Sequence, residues 1–179
     1  MSSKPVVVYG ASGYTGRLVC EYLREYGIPF TAAGRDAAKI QASMDSNVAG
    51  IETADYEVVE VTHDVESLTE LFRGSSVVCN MVGPFSKYGP EVVEASLAAG
   101  THYLDTTGEQ DWLITCDETY GADFAAAGLL LSPGVAHMYT TGEIAAELCL
   151  EQPGLDTLDI AVFWGGSPTI ASTLTILIN

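Results

Sequence analysis

Val6-Val7-Val8-Tyr9-Gly10-Ala11-Ser12-Gly13-Tyr14-Thr15-Gly16-Arg17 is the stretch on which the reading of this chain turns. The apolar run VVVY reads as a buried parallel strand, GASGYTG as a glycine-rich turn, and the residues after it as a helix with Leu18, Val19, Tyr22, Leu23 and Tyr26 on one face. Strand, tight glycine turn and helix together form a dinucleotide-binding signature. Gly10 permits the sharp turn, Gly13 lets a pyrophosphate approach the backbone, and Gly16 lets the helix sit close to the strand. The helix N-terminus then offers backbone N–H groups and a positive dipole end to phosphates. The spacing is GxxGxxG rather than GxGxxG, a variant common in NADP-binding domains. A glycine turn with no ligand is the alternative, disfavoured because the chain continues the same strand–helix alternation.

Gly27 and Pro29 stop the first helix, and Phe30 to Ala33 read as a second strand. That strand ends in Gly34-Arg35-Asp36. An acidic residue near this point receives the ribose 2′-hydroxyl of NAD, whereas an arginine accommodates the 2′-phosphate of NADP. Arg35 therefore favours NADP over NAD, with Asp36 read as the N-cap of a helix through Ile40 to Met44. Residues 45–56 read as a polar connection. Tyr56 to Val61 form a third strand ending at Thr62-His63-Asp64. Asp64 either bonds adenine or caps the helix Val65 to Phe72, and His63 reads as a strand-end surface residue.

Ser76 to Met81 read as a fully apolar central strand running into Val82-Gly83-Pro84, a rigid wall beside the glycine turn. A helix follows over Tyr88 to Ala99, with Pro90 in its first turn and Gly100 as terminator. Thr101 to Leu104 give a fifth strand, Gln110 to Ala127 a long helix, Leu129 to Leu131 a sixth strand and Thr140 to Leu150 another helix. Six strands alternating with helices predict an α/β fold: a doubly wound parallel Rossmann sheet of order 3-2-1-4-5-6. That domain occupies residues 1–152. Residues 153–179 read as the start of a second α/β domain, with a seventh strand over Leu155 to Trp164 and a helix capped by Ser167 and Pro168.

Composition narrows the function. The chain has 179 residues, 47% of them hydrophobic, enough for one packed core. A net charge of −17 argues against nucleic acid and anionic membrane surfaces as partners. No apolar run reaches the roughly 18 residues a membrane-spanning helix needs. Cys20, Cys79, Cys116 and Cys149 are widely spaced and read as small buried hydrophobes in a reducing compartment, so the expected location is the cytoplasm, and no metal site is expected. The basic residues end at Lys87. Arg17, Arg35 and Lys39 fall where a dinucleotide's phosphates are held, which suggests a local anion site in an acidic chain.

The stretches VVVYGASGYTGR, TAAGRDAAKI and NMVGPFSKYGPEVVEASLAAGTHYLDTTGEQDWL resemble the saccharopine dehydrogenase-like oxidoreductases, including their trans-acting enoyl reductase branch, over residues 5–135. The resemblance implies an NAD(P)-binding Rossmann domain and a second α/β domain that completes the substrate site and often a dimer. It places Gly10, Ser12, Gly13, Tyr14, Thr15 and Gly16 on the pyrophosphate turn, Arg35 at the adenosine 2′ position, and Val82, Gly83 and Pro84 toward the nicotinamide. Full-length members are about twice as long. Relatives often carry a GFDSxPxD-like segment after strand six, where this chain reads GVAHMYTTGE over Gly134 to Glu143.

The expected function is thus the cofactor-binding part of an NADP-dependent oxidoreductase acting on a small organic molecule by hydride transfer. The alternative is a non-catalytic NADP-binding sensor or regulatory module. A Tyr-x-x-x-Lys pair, which short-chain dehydrogenases use, is absent from the sequence. Cys116 and Cys149 lie in acidic helical stretches that suit no thiolate nucleophile. The candidates for proton transfer are His137, Tyr139 and Glu109, beside predicted strand ends; Glu109 and Asp105 also suit helix capping. The apolar C-terminal segment is the expected surface of a homodimer.

Overall fold

The first strand, β1 (Val6–Tyr9), is buried at all four positions, as its unbroken apolar sequence requires of a strand covered on both faces. The computed structural model describes residues 4–161 together with 163, 165, 166, 168 and 173. In it β1 lies inside a six-stranded parallel sheet of order β3-β2-β1-β4-β5-β6. The other strands are β2 (Phe30–Gly34), β3 (Tyr56–Glu60), β4 (Val77–Asn80), β5 (His102–Asp105) and β6 (Leu131–Ser132). Val6 pairs with Phe30 on one side and Val77 on the other, and Tyr9 with Ala33 and Asn80. This is the expected doubly wound Rossmann topology.

Alternation along β1 divides the core in two. Val6 and Val8 join Cys20, Ile40 and Met44 under α1 (Tyr14–Glu25) and α2 (Ala37–Asn47). Val7 and Tyr9 face Leu68, Phe72, Val92 and Trp112 under α3 (Val65–Phe72), α4 (Phe85–Ala99) and α5 (Gln110–Cys116). α5 passes through a π-helical turn, Asp117–Gly121, into α6 (Ala122–Ala126), so the single helix read from sequence carries a bulge.

Several expectations are corrected. The buried residues of α1 are Gly16 and Cys20, with Val19 and Leu23 packed beside them; Leu18, Tyr22 and Tyr26 are exposed. The stripe follows the helical spacing from Gly16, because that glycine fixes which face meets the sheet. The connection after α2 is not wholly polar, since Val48 and Ile51 are buried in it. β4 is not fully apolar, since Asn80 is buried at its end. α4 starts at Phe85, so Pro90 lies beyond the first turn, where its missing N–H leaves the Ser86 carbonyl without the usual helical donor.

The helix read over Thr140 to Leu150 forms as a π-helical turn, His137–Thr141, followed by α7 (Gly142–Leu150). α7 buries none of its residues, and Cys149 is exposed rather than buried. Residues 155–161, where the seventh strand was expected to begin, form none and join neither edge of the sheet, β3 or β6. The helix expected from Ser167 onward lies outside the described residues except at 168 and 173. No helix of the described residues is long and apolar enough to cross a membrane.

Candidate functional site

The C-terminal ends of β1, β2 and β4 are stitched together by backbone bonds. The N–H groups of Gly10 and Ala11 donate to the Ala33 carbonyl (2.9 and 3.2 Å), and the Met81 N–H donates to the Tyr9 carbonyl (2.8 Å). Gly10 has φ +89°, a left-handed conformation that favours glycine. A Cβ on Gly16 would lie 2.4 Å from the Gly10 carbonyl oxygen, so only glycine lets α1 approach the turn this closely. Gly13 caps α1 without a side-chain hydrogen bond, and the first turn of α1 holds no acid. That helix start is left to an anion by its sequence.

A cavity of about 430 Å³ opens above these strand ends. It is lined by Tyr9, Gly10, Ser12, Gly13, Gly34, Arg35, Lys39, His63, Met81, Val82, Gly83 and Tyr88. A neighbouring concavity of about 280 Å³ shares Arg35 and His63 and adds Glu60, Val61 and Thr62. The position is the crevice where the strand order reverses between β1 and β4, the usual ligand site of an open parallel sheet. Among the described residues neither Arg35 nor Lys39 forms an ion pair, although the chain carries 24 carboxylate side chains. Two unpaired cations at a glycine turn suit an anionic ligand. The residues present therefore fit a dinucleotide: the turn for the pyrophosphate, Arg35 and Lys39 for further phosphate charge.

Of the residues singled out from sequence, Gly10, Ser12, Gly13, Arg35, Lys39, Val82 and Gly83 line the cavity; Tyr14, Thr15, Gly16 and Pro84 do not. Arg17 lies over the Tyr14 ring, 5.9 Å from its centroid, and does not line the cavity. Asp36 caps α2 by accepting the Lys39 N–H (2.8 Å). Asp64 caps α3, accepting the Ser67 N–H (2.8 Å) and hydroxyl (2.9 Å), and is absent from the cavity wall. These bonds, first the backbone N–H of Ser67, hold the Asp64 carboxyl below its ordinary value.

The three proton-transfer candidates lie elsewhere. Glu109 is buried and accepts the N–H groups of Phe85 (2.7 Å) and Ser86 (2.8 Å), which caps α4. His137 is exposed, and the Tyr139 hydroxyl donates to the Gly108 carbonyl (3.2 Å). None of the three lines the cavity. Burial pushes the Cys20 and Cys116 thiols up to about 12 and that of Cys79 to about 11, so all three stay protonated near neutral pH.

Two groups do something other than what the sequence reading gave them, a surface position for His63 and helix capping for Asp105. His63 lines the cavity, with Nδ1 and the Tyr9 hydroxyl sharing a 2.8 Å hydrogen bond. Asp105 is a buried hub: its carboxylate accepts the Tyr103 hydroxyl (2.7 Å), the Trp112 indole N–H (2.9 Å), and the N–H groups of Thr107 and Gly134 (2.9 Å each). Asn80 extends the network, donating to the Tyr103 oxygen (3.0 Å) and accepting the Val82 N–H (3.0 Å). One connected network thus runs from the loops after β5 and β6 to the cavity wall at Val82.

Comparison with known proteins agrees with this geometry. The model for the saccharopine dehydrogenase NADP binding domain matches residues 6–127, and a model for a family of unknown function matches residues 140–179. A Caenorhabditis elegans protein named lipid droplet localized protein is 35% identical over 136 residues, 72% of this chain and 32% of the relative. The human saccharopine dehydrogenase-like oxidoreductase is 31% identical over 139 residues, 70% of this chain and 32% of that protein. This chain thus spans about a third of the length of these curated relatives. The structure of apo saccharopine dehydrogenase (L-Glu forming) from Saccharomyces cerevisiae superposes with a TM-score of 0.65 at 18% identity, over 83% of this chain and 31% of that one, and shares the fold. The chain belongs to the saccharopine dehydrogenase NADP-binding domain family, and NADP is the cofactor of its glycine-turn domain.

Proposed function

We propose that the chain is the cofactor-holding part of an oxidoreductase that moves hydride between NADP and a small organic substrate at a C=N, C=O or activated C=C bond. The observation that carries this reading is the cavity at the β1–β4 crevice, with its glycine turn and its two unpaired cations, Arg35 and Lys39. When bound, the dinucleotide would supply the hydride in its reduced form and accept one in its oxidised form. The chain's own residues bind and orient it. Gly10, Ser12 and Gly13 receive the pyrophosphate at the start of α1, Arg35 meets the 2′-phosphate, and Met81, Val82 and Gly83 bound the opposite wall. Asn80 holds the Val82 N–H and Glu109 holds the start of α4, so that wall is fixed before ligand arrives.

In this reading residues 1–152 are the cofactor unit and the rest of the chain opens a second one. Ile144 and Leu148 on α7, and Leu155, Ile160 and Phe163 after it, are exposed, an apolar surface that suits contact with a further domain or subunit. The test is turnover of NADPH deuterated at C4 by the longest reading frame containing this chain, against keto acids, imines and enoyl thioesters. Deuterium in a reduced product supports hydride transfer. Tight NADPH binding with no transfer to any of these classes contradicts it and favours a binding module.

A further inference from the structure

His63 follows β3 with its side chain 18% exposed, and shares the cavity wall with Arg35. Its Nδ1 is bonded to the Tyr9 hydroxyl, and the two rings lie nearly parallel, 8° apart with centroids at 5.9 Å. Its Nε2 faces Glu91 Oε2 at 3.5 Å. Both of those atoms are buried and lack a hydrogen-bond partner. The Tyr88 ring meets the imidazole edge-on at 5.5 Å. Residues of β1 and α4 thus fix this ring at the cavity, more tightly than a surface histidine requires.

The surroundings admit two charge states with no movement of heavy atoms. Burial, the largest influence, pushes the Tyr9 phenol up to about 12, so it keeps its proton. With a neutral imidazole the Tyr9 hydroxyl donates to Nδ1, and the Nε2–H points at Glu91. With an imidazolium the Tyr9 hydroxyl turns to accept from Nδ1–H, and Nε2–H gains an ionic partner in Glu91. The charged neighbours oppose one another. Glu91 on α4 and Asp64 at the cap of α3 favour the cation, and Glu60 lies on the shared wall. Arg35, at the end of β2 and on the same cavity wall, carries the like charge that opposes it, as does Lys87, which lies over the Tyr88 ring. A dianion entering beside Arg35 cancels that opposition and adds its own attraction.

We propose that His63 takes up a proton when the adenosine 2′-phosphate enters beside Arg35, and so serves as a second cation selecting NADP over NAD. This rests on the reading that Arg35 meets the 2′-phosphate. NAD carries no phosphate at that position, and His63 gains nothing from it.

The test is isothermal titration of the chain with NADP and with NAD at neutral pH, in two buffers of different ionisation enthalpy, for wild type and His63→Gln. Glutamine keeps a donor and an acceptor for Tyr9 and Glu91 but cannot charge. Proton release by the 2′-phosphate itself is common to both proteins. The expected result is roughly 0.3 proton or more of extra uptake per NADP in wild type, no difference with NAD, and a loss in NADP affinity of about fivefold confined to NADP. Equal proton counts in the two proteins overturn the proposal. Should His63→Gln fail to fold, ring NMR on wild type decides, since the chain has three histidines to assign. His63 signals moving toward the imidazolium with NADP but not NAD support it; signals indifferent to NADP overturn it. An NADP preference that depends on Arg35 while His63 stays silent removes this inference alone. If Arg35→Ala leaves the NADP-to-NAD affinity ratio unchanged, the underlying cofactor reading falls with it.

Discussion

The Glu109 carboxylate accepts the Phe85 backbone N–H at 2.7 Å across 24 residues of chain, and its second oxygen takes the N–H of Ser86. The loop after β5 therefore caps the helix after β4. The anchor is a charge-assisted pair of bonds on a residue only 3% exposed. Glu109→Ala leaves two N–H groups without an acceptor and is expected to cost about 2–4 kcal/mol in urea unfolding. Glu109→Gln retains one good acceptor and is expected to cost about half as much. Equal, negligible losses for both would show that the cap is not needed to hold α4.

Gly89 and Trp112 form a second lock between α4 and α5. A Cβ on Gly89 would lie 2.4 Å from the Trp112 indole carbon Cζ2, and the indole is held by Asp105 through its N–H. Gly89→Ala is expected to destabilise by about 1–3 kcal/mol through overpacking. Trp112→Phe, which opens space and removes a hydrogen bond, is expected to relieve part of that cost in the double variant. Additive losses in a double-mutant cycle would deny the contact.

Gly16 limits the site itself. Its absent Cβ leaves 2.4 Å to the Gly10 carbonyl oxygen, a backbone atom with nowhere to move. Gly16→Ala is expected to displace α1 from the turn and to reduce NADPH affinity at least about tenfold, read by quenching of protein fluorescence. Unchanged affinity in a folded variant would contradict the close approach.

Asp64 gives a pH signature. Its folded carboxyl is held below its ordinary value by the Ser67 N–H and hydroxyl. A depressed folded value means that the unfolded chain binds the proton first. The contribution is therefore present above the unfolded carboxylate range and lost as pH falls through the folded value. Thermal unfolding of wild type and Asp64→Asn should differ at neutral pH and converge in acid. A gap that stays constant with pH would exclude the ionised cap.

Much of this was legible in sequence. VVVYGASGYTG fixed strand, turn and helix because glycine spacing and an apolar run are local signals, and the strand order followed from alternation. Arg35 and Lys39 could be placed because the strand end is set by Gly34. The contacts of His63, Glu109 and Asp105 could not be placed, although helix capping was an open reading for the two acids and Glu109 does cap α4. Their partners, Tyr9, Phe85 and Gly134, lie 54, 24 and 29 residues away, and long-range pairing leaves no periodicity to read. The block from Asn80 to Leu113 stood out as the most distinctive stretch for the same hidden reason: Asn80, Gly89, Tyr103, Asp105 and Trp112 form one chain of contacts only in the fold, and Glu109 reaches back to Phe85 and Ser86. Cys149 on α7 was misread as buried because apolar helical spacing does not say what covers it.

The most direct measurement is the dissociation constant of NADPH and of NADH for wild type and Arg35→Ala at fixed ionic strength. Arg35 is exposed and has no carboxylate partner among the described residues, so its removal leaves no carboxylate unpaired and the variant is expected to fold. NADPH affinity is expected to fall by about 30-fold or more, the value of a charge-assisted phosphate contact, with NADH changed less than about twofold. Equal losses for the two dinucleotides, or no loss for either, would contradict the assignment of this cavity to NADP through Arg35.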